Sequence, residues 1–216
     1  LSDPTWGDAS RQEMSTLKDI TGTLVKADPN IAREDIKNGA NCLMILMVFE
    51  EKMKDGKLVR KVRMVADGRR HTNVGETYSP TPSREEFLIY MHLCAVFDWN
   101  YYWLDENRAF LTADRQDKRK LYARFPGDKS YYEVNKALYG TRDGPRDYGI
   151  KVESVLKVEL KFTRLQLCSC IYVEWEGDKL KTIVYDHVDD FVFSGQDDDH
   201  TMKKINEFRK SAKTDD

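Results

Sequence analysis

The run Ile183-Val184-Tyr185-Asp186-His187-Val188-Asp189-Asp190-Phe191-Val192-Phe193 constrains the fold of this chain more than any other. Two adjacent carboxylates sit inside a β-branched and aromatic stretch. The pattern reads as two short strands with the Asp pair at the turn between them. Asp is a poor strand residue, and neighbouring like charges repel. Strands that hold such a pair call for a neutralising cation, and oxygen-only ligands at a strand turn suit Mg²⁺ or Mn²⁺. Taken alone, the run is better accounted for by an ordinary Asp-rich hairpin turn.

At 216 residues, 40% hydrophobic and 33% charged, the chain is long enough for one large domain or two small lobes. No apolar run approaches the ~20 residues of a membrane span, so no membrane partner is expected. The start Leu1-Ser2-Asp3-Pro4 has neither Met nor a signal-peptide pattern and reads as a piece of something longer. Cys42, Cys94, Cys168 and Cys170 form no CxxC pair and have no zinc-site spacing, so they read as buried free thiols. Charge is unevenly placed. Residues 51–75 hold eight Lys/Arg against three Asp/Glu, and residues 174–216 hold seven against twelve. A basic and an acidic segment in one chain suit an enzyme of nucleic acids or polyphosphates, although uneven charge is also ordinary on a solvated surface.

Residues 1–40 read as a peripheral arm with a short helix around Glu13 to Ile20. Two strand-like runs, Cys42 to Phe49 and Leu58 to Ala66, flank Asp55-Gly56, a strong hairpin signal. Lys61 and Arg63 share one face of the second strand, and Val62 and Met64 share the other. Ser83 and Glu86 have capping-box spacing ahead of a helix that faces the core through Phe87, Met91 and Cys94. Asn100 to Asp105 is an aromatic strand in which Asp105 shares a face with Tyr101 and Trp103. Asp114 to Arg124 reads as a basic loop, and Tyr131 to Ala137 as a strand. A helix from Pro145 to about Leu160 has Tyr148, Val152, Val155 and Leu156 inward. Cys170 to Trp175 and Leu180 onward are strands, and a last amphipathic helix is capped by Asp199.

This order predicts an α+β fold, an antiparallel sheet backed by helices with split βαβ character. Residues 100–216 would form that sheet, 41–99 a β-hairpin lobe and 1–40 the arm. In such a sheet the strand bearing Asp105 can lie beside the hairpin bearing Asp189 and Asp190, so that three carboxylates distant in sequence meet at one end.

Several segments then match a known family in order. Lys61-Val62-Arg63-Met64-Val65-Ala66 with Gly68, Tyr78-Ser79-Pro80, Asp105-Glu106-Asn107-Arg108-Ala109-Phe110-Leu111, Leu121-Tyr122 through Pro126-Gly127, Lys136-Ala137-Leu138-Tyr139-Gly140 and His187-Val188-Asp189-Asp190 resemble the blocks of copia-type LTR retrotransposon reverse transcriptases. The chain departs from the family pattern at His187, where the family has Tyr, and at Asp143, where it has Gln.

The resemblance implies a reverse-transcriptase palm with a fingers lobe. It also implies RNA-directed DNA polymerisation: a primer 3′-OH attacks the α-phosphorus of a dNTP with the help of two Mg²⁺ or Mn²⁺ ions. Asp105 and Asp189 would be the bridging metal ligands, Asp190 an auxiliary one, and the Glu106 backbone carbonyl a further ligand. Lys61 and Arg63 would neutralise the triphosphate, as strongly as a solvated strand face would otherwise explain them. Phe110 would pack under the nucleotide sugar, and Tyr139 and Gly140 would shape the pocket. Implied partners are RNA or DNA template-primer, dNTPs and other segments of the same polyprotein, in a cytoplasmic particle with possible nuclear access. Thumb and ribonuclease H segments are not expected within 1–216. A repurposed, non-catalytic nucleic-acid-binding or assembly module is the rival reading, and a palm-type cyclase is the third.

Overall fold

The computed structural model describes residues 4–54, 56–72, 74–106 and 108–212. In chain order the main elements are α1 (Pro4–Ser15), β1 (Leu24–Lys26), α2 (Pro29–Lys37), β2 (Asn41–Lys54), β3 (Lys57–Ala66), α3 (Arg84–Phe97), β4 (Tyr101–Asp105), β5 (Leu121–Arg124), β6 (Tyr132–Val134), α4 (Gly144–Ser154), β7 (Thr163–Arg164), β8 (Ile171–Glu176), β9 (Lys179–His187), β10 (Asp190–Gly195) and α5 (Asp198–Ala212). Both α1 and α4 continue into a wider helical turn, Thr16–Ile20 and Val155–Glu159. The chain divides into two compact units. One comprises residues 1–77 and 110–147, the other 78–109 and 148–216.

The first unit is built on a five-stranded mixed sheet, ordered β1-β6-β5-β2-β3. Its long hairpin follows from alternation. Val62, Met64 and Ala66 of β3 turn inward and are buried, while Lys61 and Arg63 are exposed on the alternate face. The β2–β3 ladder runs from Ile45↔Ala66 to Lys54↔Lys57, and Gly56 has a φ of 72° at the loop. Asp55, the other half of the expected turn, lies outside the described residues. Leu17, Leu43, Ile45, Met64, Leu121, Phe125 and Leu138 form the core.

Three expectations change here. Residues 1–40 are integral to the unit. Leu17, Leu24 and Ala32 are buried, and β1 pairs with β6. Helix α2 escaped the sequence reading, although Asp28 caps it and Pro29 opens it. The Asp28 carboxylate accepts the N–H groups of Asn30 (2.8 Å) and Ile31 (3.2 Å). Within the expected basic loop, Leu121–Arg124 is a strand in parallel register with Asn41–Met44. Strands β5 and β6 therefore join the hairpin's sheet, and the units cut across the expected ranges 41–99 and 100–216.

The second unit carries a five-stranded antiparallel sheet, ordered β4-β10-β9-β8-β7. Helix α3 begins at the expected capping box. Ser83 Oγ accepts the Glu86 N–H at 3.1 Å, and Glu86 accepts the Ser83 N–H at 2.8 Å. Its buried centre is Tyr90, with Cys94 and Met91 beside it, packed on Ile171, Val173, Ile183, Tyr185 and Val192. Phe87 is half-exposed, its ring 5.6 Å from Tyr185. On the opposite face Phe191 and Phe193 meet Phe208 of α5, at ring centroid distances of 4.7 and 5.7 Å. The expected inward residues of α4 and its extension, Tyr148, Val152, Val155 and Leu156, are all buried. Helix α5 is capped by Asp197 rather than Asp199, since Asp197 Oδ1 accepts the His200 N–H at 2.9 Å.

In the first unit, one close approach ties the Lys136–Gly140 segment to the end of β3. The Ala66 N–H donates to the Tyr139 carbonyl at 2.7 Å. Gly140 has a φ of 84°, and a Cβ there would overlap the Ala66 carbonyl oxygen. Gly177, at the β8–β9 turn, also has positive φ (59°) but faces open space. Gly140→Ala is expected to cost more than about 2 kcal/mol, strain and overlap together, and Gly177→Ala about 1 kcal/mol from strain alone. Urea unfolding of the two variants checks this ranking, and equal losses would contradict it.

Candidate active site

The three acids of the sequence reading occupy neighbouring backbone positions at one sheet end of the second unit. In the β4–β10 ladder, Asp105 stands directly opposite Asp190. Opposite residues of an antiparallel pair project from the same face, so the two carboxylates are cross-strand neighbours. Asp189 occupies the turn next to them. The Glu106 N–H donates to the Asp189 carbonyl at 2.9 Å, which extends the ladder one step beyond Asp105. The turn itself is Val188-Asp189, closed by the pair His187↔Asp190. A two-residue hairpin loop needs positive φ at its first central residue, and Val188 supplies it at 65°. A β-branched residue there stores on the order of 1–3 kcal/mol of strain, sustained by the ladders on either side.

Around the acids lies a set of side chains to which the sequence reading gave no role at the site. The Trp103 indole N–H donates to Asp190 Oδ1 at 3.1 Å. The Glu106 side chain is only 3% exposed. One of its oxygens accepts the Tyr148 hydroxyl, and the other has no hydrogen-bond partner among the described residues. Burial raises the Glu106 carboxyl above the usual range, and the nearby Asp189 charge adds to the rise, against the Tyr148 bond and Lys151. Asp186 keeps some solvent exposure, yet protein surrounds its carboxyl, and that desolvation pushes it up to about 7. Glu106 thus lies within electrostatic reach of Asp189, and Asp186 within reach of Glu106, both held toward their neutral forms. For Asp186 the signal in the sequence was an acid inside an apolar strand run; Glu106, beyond the end of β4, carried no such signal. Among the described residues, no three Asp, Glu, His or Cys side chains form a ready-made metal cage.

The expected nucleotide contacts lie in the first unit. Lys61 faces Glu50 across the hairpin ladder. Lys52 and Arg63 also reach the Glu50 carboxylate, at 3.2 and 3.9 Å. These cations therefore gather around one acid on an exposed face, where ion pairs contribute little. Phe110 sits in a single tight helical turn, Ala109–Thr112, with its ring 5.0 Å from that of Tyr139. Gly140 follows Tyr139, so Phe110, Tyr139 and Gly140 are brought together. Asn107 lies outside the described residues.

Residues 35–215 match the model of the family described as reverse transcriptase (RNA-dependent DNA polymerase). The chain belongs to the copia-type reverse transcriptase family. It is similar to the retrovirus-related Pol polyprotein from transposon TNT 1-94 of Nicotiana tabacum, 28% identical over 94% of this chain and 15% of the relative. It is also similar to that from transposon RE1 of Arabidopsis thaliana, 30% identical over 69% of this chain and 11% of the relative. The chain thus spans only a small part of these polyproteins. Its fold resembles a foamy viral protease–reverse transcriptase solved with double-stranded DNA. The TM-score is 0.51 at 15% identity, covering 97% of this chain and 29% of that one. The α+β reverse-transcriptase palm expected from sequence is therefore the fold found.

Every residue proposed for the site falls inside the segment that matches the reverse transcriptase family. So does Asp143, where this chain departs from the family's Gln. It is buried beside His71 (3.7 Å) and Arg115 (3.7 Å). Asp147, one helical turn later, is also buried and accepts the Gln116 N–H at 3.3 Å. Burial, then the Asp143 charge, pushes the Asp147 carboxyl up to about 6. An unfolded Asp titrates near 3.9. Between about pH 4 and 6 the folded chain therefore binds more protons than the unfolded chain, and stability falls as pH rises through that window. Asp147→Asn is expected to flatten this slope and to raise stability at pH 7.5 by on the order of 2–3 kcal/mol. Thermal unfolding across pH 4.5–7.5 checks it, and an unchanged slope would contradict it.

Proposed function

We propose that the chain is the RNA-directed DNA polymerase unit of a retrotransposon polyprotein, a nucleotidyltransferase that extends a primer 3′-OH with dNTPs. The observation that carries this reading is the register that sets Asp105 opposite Asp190, with Asp189 at the adjoining turn.

The donor set fits Mg²⁺ or Mn²⁺. It offers carboxylate oxygens and no thiolate or imidazole, apart from the exposed His187 beside the turn. A partial set is also the right kind for Mg²⁺, which keeps several waters and binds one or two carboxylates plus substrate phosphates. In this reading Asp105 and Asp189 would hold the ions, Asp190 would assist, and the Glu106 backbone carbonyl would add a ligand. When bound, divalent ions there supply activation of the attacking hydroxyl and stabilisation of the leaving pyrophosphate. The protein's own work is positioning. The β4–β10 ladder fixes the spacing of the carboxylates, and the strained Val188 turn presents Asp189 at the rim. Lys61 and Arg63 neutralise triphosphate charge from the fingers hairpin. Phe110 packs under the sugar and selects against a 2′-OH, while Tyr139 and Gly140 shape the pocket.

RNA or DNA template-primer is the macromolecular partner, along with other segments of the same polyprotein. The reaction would take place in a cytoplasmic particle with access to the nucleus. Among the described residues, no helix is long and apolar enough to cross a membrane.

Primer extension on RNA and DNA templates with Mg²⁺ or Mn²⁺ tests the proposal. Incorporation is expected, and Asp105→Asn or Asp189→Asn should each reduce it more than about 100-fold with the fold intact by circular dichroism. Salt-dependent template binding with no incorporation under either metal would overturn the reading in favour of a non-catalytic module.

A further inference from the structure

We infer that Trp103 is a positioning residue for the Asp190 carboxylate, and so for divalent-cation binding at the strand end. This rests on the metal reading of Asp105 and Asp190 given above.

Trp103 lies on the same face of β4 as Asp105, two residues earlier. Its ladder partner is Val192, so its indole reaches diagonally to Asp190, two residues from that partner. Diagonal neighbours across an antiparallel pair are within reach of an aromatic side chain. The bond, Nε1 to Oδ1 at 3.1 Å, is not one that burial demands. Trp103 is 57% exposed, and water would satisfy its single donor. What the bond does is fix a carboxylate that faces a second carboxylate across the ladder. Like charges directly opposite one another are destabilising and would swing apart when free.

The chemistry of the donor matters as much as its reach. A Lys or Arg at this position would bind Asp190 more strongly, but its charge would compete with a dication for the same oxygens. An indole N–H occupies one lone pair of Oδ1 and adds no positive charge. Oδ2 and the remaining lone pair of Oδ1 stay available to a cation. Trp103 thus orients a metal ligand without neutralising it, the role that outer-shell hydrogen bonds play in metal sites.

The test is Mn²⁺ binding to the full chain, read from the electron paramagnetic resonance signal of free Mn²⁺ rather than from polymerisation. Five proteins are compared: wild type, Trp103→Phe, Trp103→Gln, Asp105→Asn and Asp190→Asn. Trp103→Phe keeps a ring and removes the donor, and is expected to raise the Mn²⁺ Kd about 10-fold. Trp103→Gln restores an N–H donor and should recover most of that loss, with little change in thermal stability for either because the side chain is exposed. Wild-type affinity in Trp103→Phe, alongside weakened binding in Asp190→Asn, would overturn the positioning role and leave the metal reading standing. Equal weakening in Trp103→Phe and Trp103→Gln would overturn the role of the donor. Unchanged binding in both Asp105→Asn and Asp190→Asn would refute the metal site itself, and this inference with it.

Discussion

The register of β10 against β4 is the constraint on which the site depends. Side chains alternate across a strand, so a slip of one residue would send Asp190 to the opposite face, among the phenylalanines that meet α5. The register is over-determined. Leu104 is buried on that inner face opposite Phe191, and Phe191 and Phe193 close on Phe208. On the other face Val192 packs with Tyr90 and Cys94 of α3, and the Tyr90 hydroxyl is 2.6 Å from Ser194 Oγ. Hydrophobic burial on both faces thus holds two like charges at the sheet end, where alone they would separate.

The same logic explains how a β-branched residue at positive φ survives beside the acids. The turn at Val188 is not locally favourable. It is held by the six-residue ladder between β9 and β10 on one side and by β4 on the other. Around it the chain places hydrogen-bonding groups that do not neutralise the acids: the Trp103 indole at Asp190 and the Tyr148 hydroxyl at Glu106. Glu106 and Asp186 lie deeper and are shifted toward their neutral forms, which limits the negative charge that the sheet end must bear without a cation.

Much of the palm was legible in sequence because its signals are local and agree with one another. The acid doublet sits between apolar runs, and the capping box at Ser83 opens α3. The acids at 105 and 189–190 stood out because acids are rare in such strands. Less legible were the elements whose stability comes from distant partners. Strand β5 is four residues long and reads as the tail of a basic loop until β2 lies alongside it. Strand β1 is three residues long and is defined by β6. The sheet that β5 and β6 join was not legible for the same reason, since their partner hairpin lies far earlier in the chain. Trp103 was read correctly as sharing a face with Asp105. Its bond to Asp190 depends on a diagonal contact that no single-strand pattern encodes.

The most direct measurement is a crystal structure of the chain soaked with Mn²⁺, with the ion located by its anomalous scattering. The account predicts a peak in contact with the carboxylate of Asp105 and with the Asp189–Asp190 doublet. An ion bound elsewhere, or a refined register in which Asp105 does not face Asp190, would contradict it.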